Sequence, residues 1–113
     1  MSNFVVKLGN ATEILATGEG DVKNRLMLAV TNELIFANVP DAQSIPRYFR
    51  DKKAQIVREL KTRTWGHGIE GDLVRATIHP MRFKTAASFA RRIWQLYNEF
   101  EEYKRSRFIP QDG

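Results

Sequence analysis

The stretch TAASFARRIWQLYNEFEEYKR, residues 85–105, decides the fold. Phe89, Ile93, Leu96, Phe100 and Tyr103 recur in it at spacings of four, three, four and three, which lines one side of an α-helix. No glycine or proline interrupts the run. Thr85 is a suitable N-cap, because its hydroxyl can accept a bond from an orphan backbone N–H. At about 1.5 Å per residue the run makes a rod of about 30 Å, as long as a small domain is wide. Such a rod cannot bury its stripe alone, so the rest of the chain must supply partner helices.

Working outward, MRFK (81–84) is a basic link, and Pro80 ends or bends a short helix, DLVRATIH, starting at Asp72. Before it, TRTWGHGIEG (62–71) holds three of the seven glycines and reads as a linker. A helix is expected from residue 46 to 63, with Ser44 as N-cap and Pro46 in the first turn, where proline is tolerated. Ile45, Phe49, Ile56 and Leu60 form its buried stripe. A further helix is expected over residues 22–38, capped by Asp21 and stopping before Pro40. It is apolar around most of its circumference, as befits the centre of a bundle or an oligomer interface. A β-hairpin, LMLAV and ELIFANV turning at Thr31-Asn32, competes for this segment, although Thr-Asn lacks the glycine such a turn prefers. Ahead of it, GEGD (18–21) reads as a tight turn after a short helix, ATEILAT, capped by Asn10. Residues 4–8 read as an apolar lead-in ended by Gly9.

The 113 residues suit a single helical domain spanning 1–113. Absence of cysteine excludes a disulfide framework and any thiolate chemistry. The first residues show no basic n-region and no long h-region, so no signal peptide is expected. No apolar run approaches the 18 or so residues of a membrane span. The expected location is therefore cytoplasmic, with no membrane partner. Net charge is +5, and residues 47–63 alone hold seven basic and two acidic side chains. Such a balance favours anionic partners.

Enzyme motifs fare poorly. Gly66-His67-Gly68-Ile69-Glu70-Gly71 spells G-x-G-x-x-G, but it follows a helical pattern rather than a strand, and Glu70 and Asp72 put negative charge where a phosphate would sit. His67, Glu70 and Asp72 on flexible glycines make a poor metal or acid–base site, and His79 reads as a helix-end residue. No serine sits in a nucleophile turn. Glu33 falls inside the apolar arc of its helix, so it is a buried charge that needs a partner, Arg92 or Arg82 being candidates. No catalytic residue, cofactor or metal is expected, and the chain reads as non-enzymatic.

Arg47, Arg50, Arg58 and Lys61, at spacings of three, eight and three, share the outward side of helix 46–63. They could meet phosphates, with Arg63 extending the patch and Trp65 or Tyr48 stacking on a base. Arg75, Arg82 and Lys84 join if the loop folds back. The competing account is a solvated face paired with Asp51 and Glu59. The two short helices at residues 10–38 are slightly acidic, the wrong sign for a DNA-recognition helix. Trp94 lies just outside the apolar arc of the final helix, near Arg91. It either packs under the N-terminal segment or anchors an interface.

The expected fold is all-α, a compact bundle of four to five helices with a long C-terminal helix (85–105). The expected function is a small binding or regulatory protein, bacterial or phage in style, contacting nucleic acid or an acidic protein surface through helix 46–63. The alternative is an adaptor or homodimer using helix 22–38 and Trp94.

Overall fold

The apolar spacing of the final segment produces one 24-residue helix, Phe83–Ser106. At about 1.5 Å per residue it rises about 36 Å, close to the 40 Å long axis of the molecule. The computed structural model describes residues 3–18, 20–37, 45–61 and 70–110, the side chains of residues 3 and 70–72 lying outside that description. Over these residues the chain is an all-α bundle of five helices without a strand. They are α1 (Asn3–Thr17), α2 (Val22–Asn32), α3 (Arg47–Glu59), α4 (Glu70–Ile78) and α5 (Phe83–Ser106), with a 3-10 turn, Leu34–Phe36, after α2. None of them is long and apolar enough to cross a membrane.

The first helix starts earlier than the sequence pattern predicts. Residues 4–8 belong to α1, and Gly9 is carried inside it. Phe4, Leu8 and Ala11, at helical spacing, are fully buried and hold the helix together from its packed side. Arg25 donates to the Leu15 carbonyl at 3.1 Å and so covers the C-terminal end of α1. The turn into α2 is built on glycine. A Cβ at Gly18 would lie 2.5 Å from the Ile14 carbonyl oxygen, and Gly20 has φ +88°, where glycine alone is at ease. Asp21 then accepts from the Asn24 N–H at 2.9 Å, the cap that the sequence predicts.

Over its described residues, 22–37, the segment expected as a helix from 22 to 38 is neither a hairpin nor one helix. After α2 the backbone departs at Glu33 (φ −130°) into the 3-10 turn. The break explains how a sequence apolar on all sides is accommodated: Leu34 turns into the core while Phe36 is left exposed. Buried Thr12, Thr31 and Thr77 each donate to a carbonyl four residues back, so none leaves an orphan hydroxyl.

Both α1 and α3 run antiparallel to α5. Phe4 of α1 and Phe49 of α3 meet Phe100 at 5.7 and 5.0 Å between ring centroids. Toward its other end α3 pairs with α5 through Glu59 and Arg92. The tight turn sends α2 back along α1, and Lys23 at its start lies over Phe83 at the start of α5. Thr85 is not the cap of α5. Arg82, in extended conformation, takes that position without a side-chain bond, because the turn at Pro80 closes early through Met81 N–H to the Ile78 carbonyl. The expected cap Ser44 lies outside the described residues, and Pro46 precedes α3.

Replacing Phe49 by alanine should lower unfolding free energy by about 3–5 kcal/mol. Gly20→Ala should cost about 1–3 kcal/mol through the left-handed backbone. Urea unfolding followed by circular dichroism reads both. A Gly20→Ala protein as stable as the parent would show that the turn tolerates a side chain.

Candidate nucleic-acid interface

The outward face of α3 carries fewer exposed cations than its spacing suggests. Arg47 and Arg58 are exposed. Arg47 pairs with Asp51 at 3.5 Å in full solvent, an interaction worth little there. Arg50 is half-buried, and its Nε donates to the Ile45 carbonyl at 3.0 Å, bracing the entry to the helix. Lys61 is half-buried just beyond the helix end. Arg63, Trp65 and His67 lie outside the described residues. Tyr48 is already engaged: its hydroxyl donates to Glu99 at 3.0 Å, its ring stands edge-on to Phe49, and Lys52 lies over it.

Packing adds other cations at one end of the bundle. Glu59, Thr77, Arg82 and Thr85 share the lining of one hollow of about 270 Å³. The C-terminal ends of α3 and α4 therefore meet the N-terminal end of α5. Arg82 lines this hollow, and Arg58 near the end of α3, Arg75 on α4 and Lys84 at the start of α5 are exposed. Lys23 of α2 donates to the His79 carbonyl at 2.8 Å. Its ammonium sits 5.1 Å from the centroid of the Phe83 ring, a cation–π contact. Phe83 is 57% exposed.

Between α3 and α5 runs a groove of about 550 Å³ with Ile56 and Leu96 among its lining residues. Two of its charges pair with each other. Arg92 donates to both Glu59 oxygens, at 3.0 and 2.9 Å, the bidentate geometry that makes such pairs directional. That bond, helped by the nearby positive charge, holds the Glu59 carboxyl below its ordinary pKa against the opposing effect of burial. A carboxylate kept ionised in this way is poorly suited to proton transfer near neutrality. On the next face of α5 the Tyr97 hydroxyl bonds Glu101, which raises the tyrosine and lowers the carboxylate.

Glu33 finds neither Arg92 nor Arg82. It ends α2 and meets α1, pairing with Lys7 at 3.2 Å and accepting from Asn10 at 3.4 Å. The start of α1 at residue 3 makes this possible, since Lys7 and Asn10 are then one turn apart on the same helix. The Glu33 side chain keeps 19% of its exposure, so it is covered but not enclosed. Trp94 is 54% exposed. It stands beside α1 over an apolar hollow of about 230 Å³, in which Arg91 is the one charged lining residue. Among the described residues no three histidine, aspartate or glutamate side chains come together as a metal site.

No protein family, curated protein or solved structure matches the chain at a significant level. Function is therefore argued from these side chains alone. Lys23 and Phe83 are the members of this end of the bundle that sequence reasoning missed. Reading the final helix from Phe83 instead of Thr85 would have put Phe83 eleven residues before Trp94, about three helical turns, on one ridge.

The Glu59 carboxyl should titrate below the ordinary carboxylate range and move back up in Arg92→Ala, as read by NMR. A depressed folded-state pKa contributes stability above the unfolded value that is lost as pH falls through the folded one. The parent should thus lose more stability on acidification than Glu59→Gln does.

Proposed function

We propose that the protein is a non-enzymatic accessory protein that binds nucleic acid, meeting phosphates with the basic end of its bundle and the adjoining outward face of α3. What supports this reading is a set of exposed cations carried by several helices, Arg58 on α3, Arg75 on α4 and Lys84 on α5, with Arg82 exposed just before α5 and lining the hollow there. Exposed cations on several helices make a surface that can meet a phosphate backbone. Arg47 extends it along α3. Arg50 contributes less than the sequence pattern implies, because its guanidinium is tied to the Ile45 carbonyl. An acidic protein surface would satisfy the same charges, but it would not require the exposed ring of Phe83 among them.

A second reading is a homo-oligomer or adaptor. Of the expected helix 22–38, Leu26, Ala29, Val30 and Leu34 are spent on the core, while Leu28 of α2 and Phe36 of the 3-10 turn stay exposed. What supports it is Trp94 beside its hollow, with Arg91 next to it.

Fluorescence anisotropy of labelled oligonucleotides across a salt series tests the first reading. Four phosphate contacts give a slope of log affinity against log salt of roughly −3 to −4. The triple variant Arg58→Glu, Arg82→Glu, Lys84→Glu should abolish most binding. Unchanged affinity in that variant would falsify the assignment. A dimer that survives high salt in light scattering, together with no nucleic-acid binding, would favour the second reading.

A further inference from the structure

We propose that the strand bound is single-stranded and lies along the outer ridge of α5, stacking bases on Phe83 and Trp94 and setting its phosphates against Lys84 and Arg91. This rests on the nucleic-acid reading above and names the ligand class and a further part of its path.

The ridge follows from helix geometry. Phe83 and Trp94 are eleven residues apart, close to the roughly 10.8 of three full turns, so the two rings point the same way about 16 Å apart along the axis. Lys84 and Arg91 are seven apart, two turns, and form a second row beside the rings. Between the rings the ridge is low, with Ala87 and Ala90. Both rings are more than half exposed, at 57% and 54%, and each has a cation beside it, Lys23 at Phe83 and Arg91 at Trp94. At about 3.4 Å per phosphate of a stacked strand, the distance between the rings spans about five nucleotides, fewer if the strand is drawn out.

Each ring has a setting suited to a base. Phe83 holds the Lys23 ammonium near its ring and still leaves over half of its surface open. Trp94 stands at an apolar hollow of about 230 Å³ whose wall is completed by Leu15 and Ala16 of α1, with Arg91 on the same lining. An aromatic base against the indole would cover this hollow, and the guanidinium would face its phosphate. Stacking with an adjacent cation is the means by which proteins hold single strands without reading sequence. A duplex keeps its base faces stacked inside and offers these rings little.

The ridge also argues against a second copy of the chain. An isologous two-fold contact centred on the Trp94 hollow sets Arg91 near Arg91 of the other copy, and like charges in an interface are unfavourable. The carboxylates of α5 begin at Glu99, and Glu101 and Glu102 lie two turns beyond Trp94, where they pair with Lys104 and Arg105. The basic and aromatic stretch therefore ends before them.

The test compares one mixed-sequence single strand of about twelve nucleotides, within the usual site sizes, with the duplex of the same sequence. Phe83→Ala and Trp94→Ala should each weaken the single strand about 5- to 150-fold, the roughly 1–3 kcal/mol of a stacked base converted at about 1.4 kcal/mol per decade. Trp94→Phe should restore most of the loss, and duplex affinity should change little. In a Trp65→Phe background the remaining Trp94 fluorescence should be quenched by the strand. Circular dichroism confirms that the variants fold. If the triple charge reversal abolishes binding while both alanine variants hold the single strand as the parent does, phosphate binding stands and the ridge proposal is wrong. If the parent binds neither strand, both fall together. If Trp94→Ala dissolves a dimer without altering strand affinity, the ridge is a self-association surface and the proposal is overturned.

Discussion

The structure depends on Phe100. Its ring takes Phe4 of α1 on one side and Phe49 of α3 on the other, with Tyr103 completing the cluster at 6.0 Å. Aromatic pairs of this tilted and edge-on kind contribute beyond the area they bury. More important here is what they align. Two helices from separate parts of the chain, one N-terminal and one central, are fixed antiparallel to α5 by one residue, with Phe4 and Phe49 both fully buried. Once that register is set, Glu59 falls opposite Arg92, Tyr48 opposite Glu99, and Leu15 beside Trp94. The surface described above is therefore a consequence of core packing. A protein that lost the Phe100 contacts could keep its helices and still lose the register that sets these pairs.

How much of this the sequence carried depended on the kind of signal. The long helix was legible because five apolar residues kept a helical period without a breaker. The turn at residues 18–21 and the Asp21 cap were legible because glycine and aspartate act locally. The misreadings have local causes too. Gly9 looked like a stop, yet tertiary packing of Phe4, Leu8 and Ala11 carries the helix through it. The segment 22–38 looked like one helix, because a sequence apolar all round gives periodicity nothing to report at the point where the backbone changes to a 3-10 turn. Thr85 looked like a cap because hydroxyls favour that position, whereas the turn at Pro80 puts the cap three residues earlier, at Arg82.

The candidate site was legible as composition and illegible as geometry. The basic residues of 46–63 announced themselves, but the sequence could not say that the Arg50 guanidinium turns back to the Ile45 carbonyl or that the Tyr48 hydroxyl is held by Glu99. Nor could it bring Lys23 to Phe83, sixty residues away in the chain. Pairings of charge failed for the same reason. Arg92 was a fair partner for Glu33 by type, but which carboxylate it meets is set by helix register, and that register gives it Glu59.

The positive character of the bundle end owes little to its helix termini. Three helices finish there, α1, α3 and α4, and two begin, α2 and α5. Each terminus contributes about half a charge, negative where a helix ends and positive where one begins, so the five nearly cancel with a slight negative remainder. Two of the C-terminal ends are further occupied by cations, Arg25 on the Leu15 carbonyl and Lys23 on the His79 carbonyl. The field there then comes from charged side chains, Lys23 and Arg25 included, together with the exposed Arg82 and Lys84. At the opposite end of α5 the same helix carries Glu99, Glu101 and Glu102, each already bonded to a tyrosine, lysine or arginine. The rod that organises the fold is thus electrically lopsided. The carboxylates of its second half are bonded within the molecule, and its first half leaves Lys84 and Arg91, with Phe83 and Trp94, facing solvent.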